Sequence, residues 1–160
     1  KRSKARSRRK EDQEGLRRQL TVPEPLQELP DDLEEGWTGV AVPPGERCLV
    51  VAANSSTAAR DMEGRLLERF ASGLPNGAHL AKGKAGAVTL LDCVYHEESE
   101  TFFVLDIICW KGTLYYECDA AFRRFWLQSR LAECPLLAGT SARNHYRFLP
   151  AATFGCSPAA

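Results

Sequence analysis

The sequence predicts an α+β fold made mainly of antiparallel β-sheet with short helices, and three observations carry that prediction. Residues 87–117, "AVTLLDCVYHEESETFFVLDIICWKGTLYYE", contain three β-rich runs, 87–95, 101–110 and 113–117, parted only by the polar tips "HEESE" and "KG". Tips that short join antiparallel neighbours, because a parallel pair needs a long crossover. Directly afterwards "DAAFRRFWLQSRLAEC" switches to helical spacing, and 160 residues at 44% hydrophobic content suffice for one buried core.

Taken in order, residues 1–10, "KRSKARSRRK", hold seven Lys and Arg and no acid, and with the following residues to 18 they read as a basic arm too polar to fold alone. Residues 24–35, "EPLQELPDDLEE", hold six acids and no base. The 19–36 stretch is an acidic linker in which Pro23, Pro25 and Pro30 exclude a long helix, and "LPDDLEEGW" reads as a turn with a short helical piece leading to Trp37. "WTGVAV", "PPGE" and "RCLVVAA" predict a β-hairpin about a Pro-Gly turn. "NSSTAARDMEGRLLERF" predicts a short helix or turn, with Leu66, Leu67 and Phe70 at helical spacing.

Alternation along 102–110 sends Phe103, Leu105, Ile107 and Cys109 to one face and Phe102, Val104, Asp106, Ile108 and Trp110 to the other. Both sets are largely apolar, so the strand is expected to be covered on both sides, with Trp110 at the hairpin tip the ring best placed to leave the core. In the helix, Phe122, Phe125, Trp126 and Leu131 fall on one side, and Arg123, Arg124, Gln128 and Arg130 towards the other. The last stretch is loop-rich with one strand at "HYRFLP" and no capping element, so the chain is expected to be a fragment or a shortened form.

Charge excludes little in bulk, since 21 basic residues balance 21 acidic ones. The six cysteines (Cys48, Cys93, Cys109, Cys118, Cys134, Cys156) lack the close C-x-x-C pairs zinc favours, and several sit inside apolar runs, which reads as thiols in a reducing compartment. "GKAG" lacks the hydroxyl that follows the lysine of a phosphate-cradling loop. Lys82, Lys84 and Lys111 are not followed by the Asp-Gly of a K-x-D-G nucleotidyltransferase signature, and no cysteine carries an elbow motif beside a histidine. The chemistry therefore points away from an enzyme, and no cofactor or metal is implied.

Six ordered blocks, "LPDDLEEGW", "GERCLVVAANSSTA", "RFASGLPNG", "TLLDCVYHE", "TFFVLDIICWKGTLYYECDAAFRRFWLQSRL" and "YRFLP", resemble the central part of snurportins over about residues 19–158. That resemblance implies a cap-binding domain over 37–158, similar in shape to the nucleotide-binding domain of RNA capping guanylyltransferases but without their catalytic lysine. It implies a nuclear import adaptor that binds the trimethylguanosine cap of spliceosomal small nuclear RNA, links the ribonucleoprotein to importin-β, meets an export receptor and shuttles between cytoplasm and nucleus without touching a membrane. The family's importin-binding segment can fall here only on the basic arm, with Arg6, Arg8, Arg9, Arg17 and Arg18 as its contacts. By position, the resemblance places cap contacts on Glu46, Arg47 and Cys48, and on a second stretch including Gln128, Ser129, Arg130, Arg143, Asn144, His145, Tyr146 and Arg147.

Four family cap positions are substituted here. Val22, Pro23 and Pro25 stand where the family has a leucine, a serine and a tryptophan, and Met62 replaces a lysine. A further stacking tryptophan of the family has no counterpart in this chain. The alternative reading is accordingly a non-enzymatic remnant of the same fold whose cap binding is weakened or lost.

Overall fold

The β-branched and aromatic run ending at His96 and the run beginning at Thr101 form the hairpin around which the rest of the chain is assembled. The computed structural model describes residues 24–79, 81 and 86–156. The arm with Arg6, Arg8, Arg9, Arg17 and Arg18, positions Val22 and Pro23, and the lysines of the "AKGKAG" loop lie outside them.

The described elements are α1 (Leu33–Gly36), β1 (Thr38–Val40), β2 (Glu46–Ala53), β3 (Ser56–Arg60), β4 (Leu66–Phe70), β5 (Thr89–His96), β6 (Thr101–Trp110), β7 (Thr113–Leu114), α2 (Ala120–Ala132), a 3-10 turn (Pro135–Ala138), β8 (Arg147–Pro150) and β9 (Thr153–Gly155). The main sheet runs β4-β3-β2-β5-β6-β7, all antiparallel. The parallel strand β8 joins the first residues of β6, Thr101 to Val104, while β7 takes its last two, so both share one edge of β6. Strands β1 and β9 make a separate two-stranded sheet.

Two expectations are corrected here. The 38–53 segment is not a hairpin, because β1 pairs with β9 and β2 lies between β3 and β5. The "PPGE" turn instead turns β2 into the main sheet, and Gly45 (φ 148°) is needed there, since a Cβ would sit 2.2 Å from the carbonyl oxygen of Tyr95. "GRLLERF" is strand β4 rather than a helix. Pairing with β3 overrides its helical spacing, and a bulge at Ala59/Arg60 sets its register.

The simple alternation expected for β6 also fails, for an identifiable reason. Cys93 pairs with Val104 but Asp92 with Asp106, and Leu91 pairs with Ile107 but Leu90 with Cys109, so Leu105 and Ile108 are each an extra residue. Every bulge shifts the side-chain parity by one. Phe102, Val104, Ile107 and Trp110 therefore share the main core, and Ile108 and Cys109 belong to the second face. Trp110 is buried in that core rather than projecting from the tip.

On the main core's face, Phe102 stacks on Phe70 and Phe148, and Tyr146 closes the cluster edge-on against Phe70, Tyr95 and Phe102. Helix α2 covers this core through Leu127 and Leu131, joined by Leu137 of the 3-10 turn. The expected apolar side of the helix is thus rotated. Leu127 and Leu131 face inward, whereas Phe122 and Phe125 are exposed. Asp119 starts the helix, its carboxylate accepting the Phe122 N–H at 2.7 Å. Replacing Asp119 with Ala removes this cap and should lower stability by about 1 kcal/mol, with Ser restoring most of it in urea melts.

Buried Cys48 and Cys93 are register partners in the core. Burial pushes the Cys48 thiol up to about 12 and Cys93 well above the ordinary range. Neither presents a thiolate near neutral pH, so neither suits nucleophilic work.

Candidate ligand-binding surface

Alternation on β2 separates the three residues expected to act together at the turn. Cys48 and Val50 point into the main core and Leu49 into the second cluster, so Arg47 projects on the second face, away from the side of Glu46 and Cys48. The Cys48 side chain is wholly buried and offers no surface to a ligand, while Glu46 is exposed beside its register partner Tyr95.

Arg47 is engaged by Asp92 in a two-pronged ion pair, Nε to Oδ1 at 3.1 Å and Nη2 to Oδ2 at 2.6 Å. The hydrogen bond to Asp92 raises the Arg47 pKa further. Asp92 is only 2% exposed, and burial raises its carboxyl pKa although Arg47 pulls it down. The two shifts agree on the physics. The guanidinium gains from the pair, while the carboxylate loses more water than one cation replaces.

Asp92 and Asp106 are register partners, and Asp106 in turn binds Arg123 of α2, whose Nε lies 3.0 Å from both of its oxygens. Two arginine–aspartate pairs therefore stand side by side and tie the β2 turn to the start of the helix. Met62 packs on the apolar cluster beneath this face, with Leu49 and Val51. Pro25 is exposed.

The second expected stretch divides into structural and surface residues. Asn144 is completely buried. Its Oδ1 accepts the Gly73 N–H at 3.0 Å, and its Nδ2 donates to the carbonyls of Leu136, Gly139 and Tyr146. It is a staple between loops, with no atom left for a ligand. Tyr146 donates its hydroxyl to Glu68 at 2.8 Å, and burial first, then that contact, raises its pKa. Arg147 donates to the Ser99 carbonyl at 2.6 Å. Ser129 donates back to the Phe125 carbonyl within the helix. Arg130 lies over the Trp126 ring at 4.2 Å and pairs with Glu133. Arg143, His145 and Gln128 are exposed. The expected residues thus do not converge on one pocket. Tyr146 approaches Glu46 through Tyr95, while Arg47 faces the other way.

Sequence reasoning did not single out an open cleft of about 570 Å³ between the Trp37 segment and α2, lined by Trp37, Thr38, Arg124, Phe125, Gln128 and Thr153 among others. Its rings are exposed, Trp37 by 43% and Phe125 by 65%. The signal was present in the phase of the helix. Taking Leu127 and Leu131 as the buried pair leaves Phe125 outside.

A bulged sheet with an ion-paired arginine on one face and an aromatic cleft beside its helix has the surface features of a ligand-binding domain. The chain belongs to the snurportin family: residues 19–160 match the family described as Snurportin1, m3G cap-binding domain. That domain is a binding domain for the m3G, or trimethylguanosine, cap and not a member of a known enzyme family.

Proposed function

We propose that this chain is the cap-recognising part of a nuclear import adaptor, which binds trimethylguanosine-capped small nuclear RNA and joins it to importin-β through the basic arm at residues 1–18. On this reading it shuttles between cytoplasm and nucleus and meets an export receptor on the way out. The family match over residues 19–160 carries the proposal. Arg47 supports it, because a partly exposed planar guanidinium on the second sheet face suits the triphosphate bridge of a cap. Glu46, Arg143 and His145 are the other expected contacts whose side chains reach the surface.

Titration with trimethylated, monomethylated and unmethylated dinucleotide cap analogues tests the reading. The trimethylated analogue should bind most tightly and the unmethylated one, which lacks the cationic ring, most weakly. Removing residues 1–18 should abolish importin-β pull-down and leave cap affinity unchanged. A second reading, the remnant with lost or weakened cap binding, is favoured by Pro25 and Met62, which put a pyrrolidine ring and a thioether where the family supplies an indole and a cation. Equal and negligible affinity for all three analogues would select it.

A further inference from the structure

We propose that the cleft between Trp37 and α2 holds a nucleotide of the RNA strand that follows the cap, its base against the exposed rings and its phosphate on Arg124. The proposal rests on the capped-RNA reading above and extends it to a second subsite. Three observations point to this ligand class.

The first is the pair of exposed rings. Trp37 and Phe125 line the same opening and are 43% and 65% exposed, an arrangement that leaves apolar ring faces in water unless a flat partner covers them. Trp37 is held in place by its Nε1 hydrogen bond to Asp32 at 3.0 Å, so its indole is positioned before any ligand arrives. The second is charge. Arg124 is the only charged side chain lining the cleft, and it has no ion pair or side-chain hydrogen bond among the described residues. Its helix neighbours are both committed, Arg123 to Asp106 and Arg130 to Glu133. The acids of α1, Glu34 and Glu35, precede the cleft in the chain but do not line it. The third is size and polarity. A 570 Å³ opening edged by the Gln128 amide and the Thr38 and Thr153 hydroxyls is within the range of small-ligand sites and offers polar groups to a base edge and a ribose. Aromatic rings beside a lone cation form the pattern by which proteins hold single-stranded nucleic acid with little sequence preference.

A chain of ion pairs and register partners leads from the turn at Arg47 to the helix that lines the cleft. Arg47 is linked through Asp92, its register partner Asp106 and Arg123 to the residue directly before Arg124. That network crosses from the second sheet face to helix α2, whose residue Arg124 lines the cleft.

The test uses the full chain and three probes: the trimethylated dinucleotide cap analogue, a trimethylguanosine-capped single-stranded RNA of about ten nucleotides, and the same RNA uncapped. The capped RNA should bind about tenfold more tightly than the dinucleotide, the gain expected of one stacked base. Phe125→Ala should bring that ratio close to one with dinucleotide affinity unchanged. Arg124→Gln should reduce it and lower the salt slope of RNA binding by about one. Both side chains leave the core untouched, and thermal melts check that the variants remain folded. A ratio near one in the parent protein, or a ratio that survives both substitutions, overturns the proposal. So does an equal loss of dinucleotide binding, because the cleft would then hold the cap itself. If the dinucleotide fails to bind at all, the cap reading fails separately and the uncapped RNA decides. Binding that Phe125→Ala removes upholds the subsite, and absent or unaltered binding rejects it.

Discussion

Replacing Arg47 with Met is expected to destabilise the domain by about 3 kcal/mol, lowering Tm by roughly 10 °C. The cause is the residue left behind. The Asp92 side chain is 3% exposed and Arg47 satisfies both of its oxygens, so removing the guanidinium leaves a carboxylate with neither water nor a counter-charge. Loss of a surface ion pair would cost far less, typically below about 1 kcal/mol. Converting both partners, Arg47→Met with Asp92→Leu, should recover most of the loss, because a buried pair exchanged for apolar groups of similar size is often neutral. The folded double variant also separates stability from recognition: if Arg47 holds the triphosphate, its cap affinity still falls by at least about tenfold, the value of hydrogen bonds to a charged group.

The pH dependence has a definite sign. Burial raises the folded-state pKa of Asp92 above that of an unfolded carboxyl, with Arg47 opposing the rise. A raised carboxyl favours the folded state below the unfolded pKa, and that advantage is lost as pH climbs through the folded value. Without Arg47 the rise is larger. The stability gap between the Arg47→Met variant and the parent, widest near pH 7, should therefore narrow as pH falls through the raised folded-state value of the variant's Asp92. A gap independent of pH would mean that packing of the arginine stem, rather than its charge, holds the turn.

How legible the molecule was can be read from β6 and its neighbours. The hairpin of β5 and β6 and the helix after it were evident from local patterns: β-branched runs with short polar tips, followed by helical spacing in "DAAFRRFWLQSRLAEC". Pairing at long range was not. Nothing within "WTGVAV" says that its partner is 115 residues away at Thr153–Gly155, and the near-adjacent strand with a Pro-Gly turn is the cheaper local solution. Bulges were equally invisible. Inserting Leu105 and Ile108 as extra residues puts Ile107 rather than Ile108 in the core with Phe102, Val104 and Trp110, without altering the apolar count of the run. The same limit applies to the candidate contacts. The family resemblance grouped Arg47 with Cys48 as expected contacts, but only the strand's alternation shows that the two face opposite ways, and only burial shows that Asn144 is a structural residue. Side-chain direction depends on register, and register is a tertiary property.

Asn144 carries the other large expected effect. Changing it to Ala should cost about 3–5 kcal/mol, because the Gly73 N–H and three carbonyls lose their partner and each buried unpaired group costs about 1–3 kcal/mol before relaxation. Asp is the sharper probe. It matches Asn in shape and can still accept from Gly73, but its second oxygen would face the carbonyls of Leu136, Gly139 and Tyr146, all acceptors. The Asp variant should therefore be at least as damaged as Ala near neutral pH. It should recover in part on acidification, when the protonated carboxyl regains one donor, whereas the Ala variant should not. Chemical melts at pH 7 and pH 4 measure this difference, and equal pH responses of the two variants would remove the donor role assigned to Nδ2. The consequence reaches the ligand surface. The Ser141–Asn144 turn, closed by two backbone hydrogen bonds of 2.8 and 3.1 Å, displays Arg143 and His145, and Asn144 is the side chain that fastens it to Gly73 and Gly139. Amide exchange across 141–147 should accelerate in both Asn144 variants even where the sheet stays intact. Arg143→Ala, which alters only an exposed side chain, should leave exchange and stability unchanged, so any cap or RNA affinity it loses reports a direct contact.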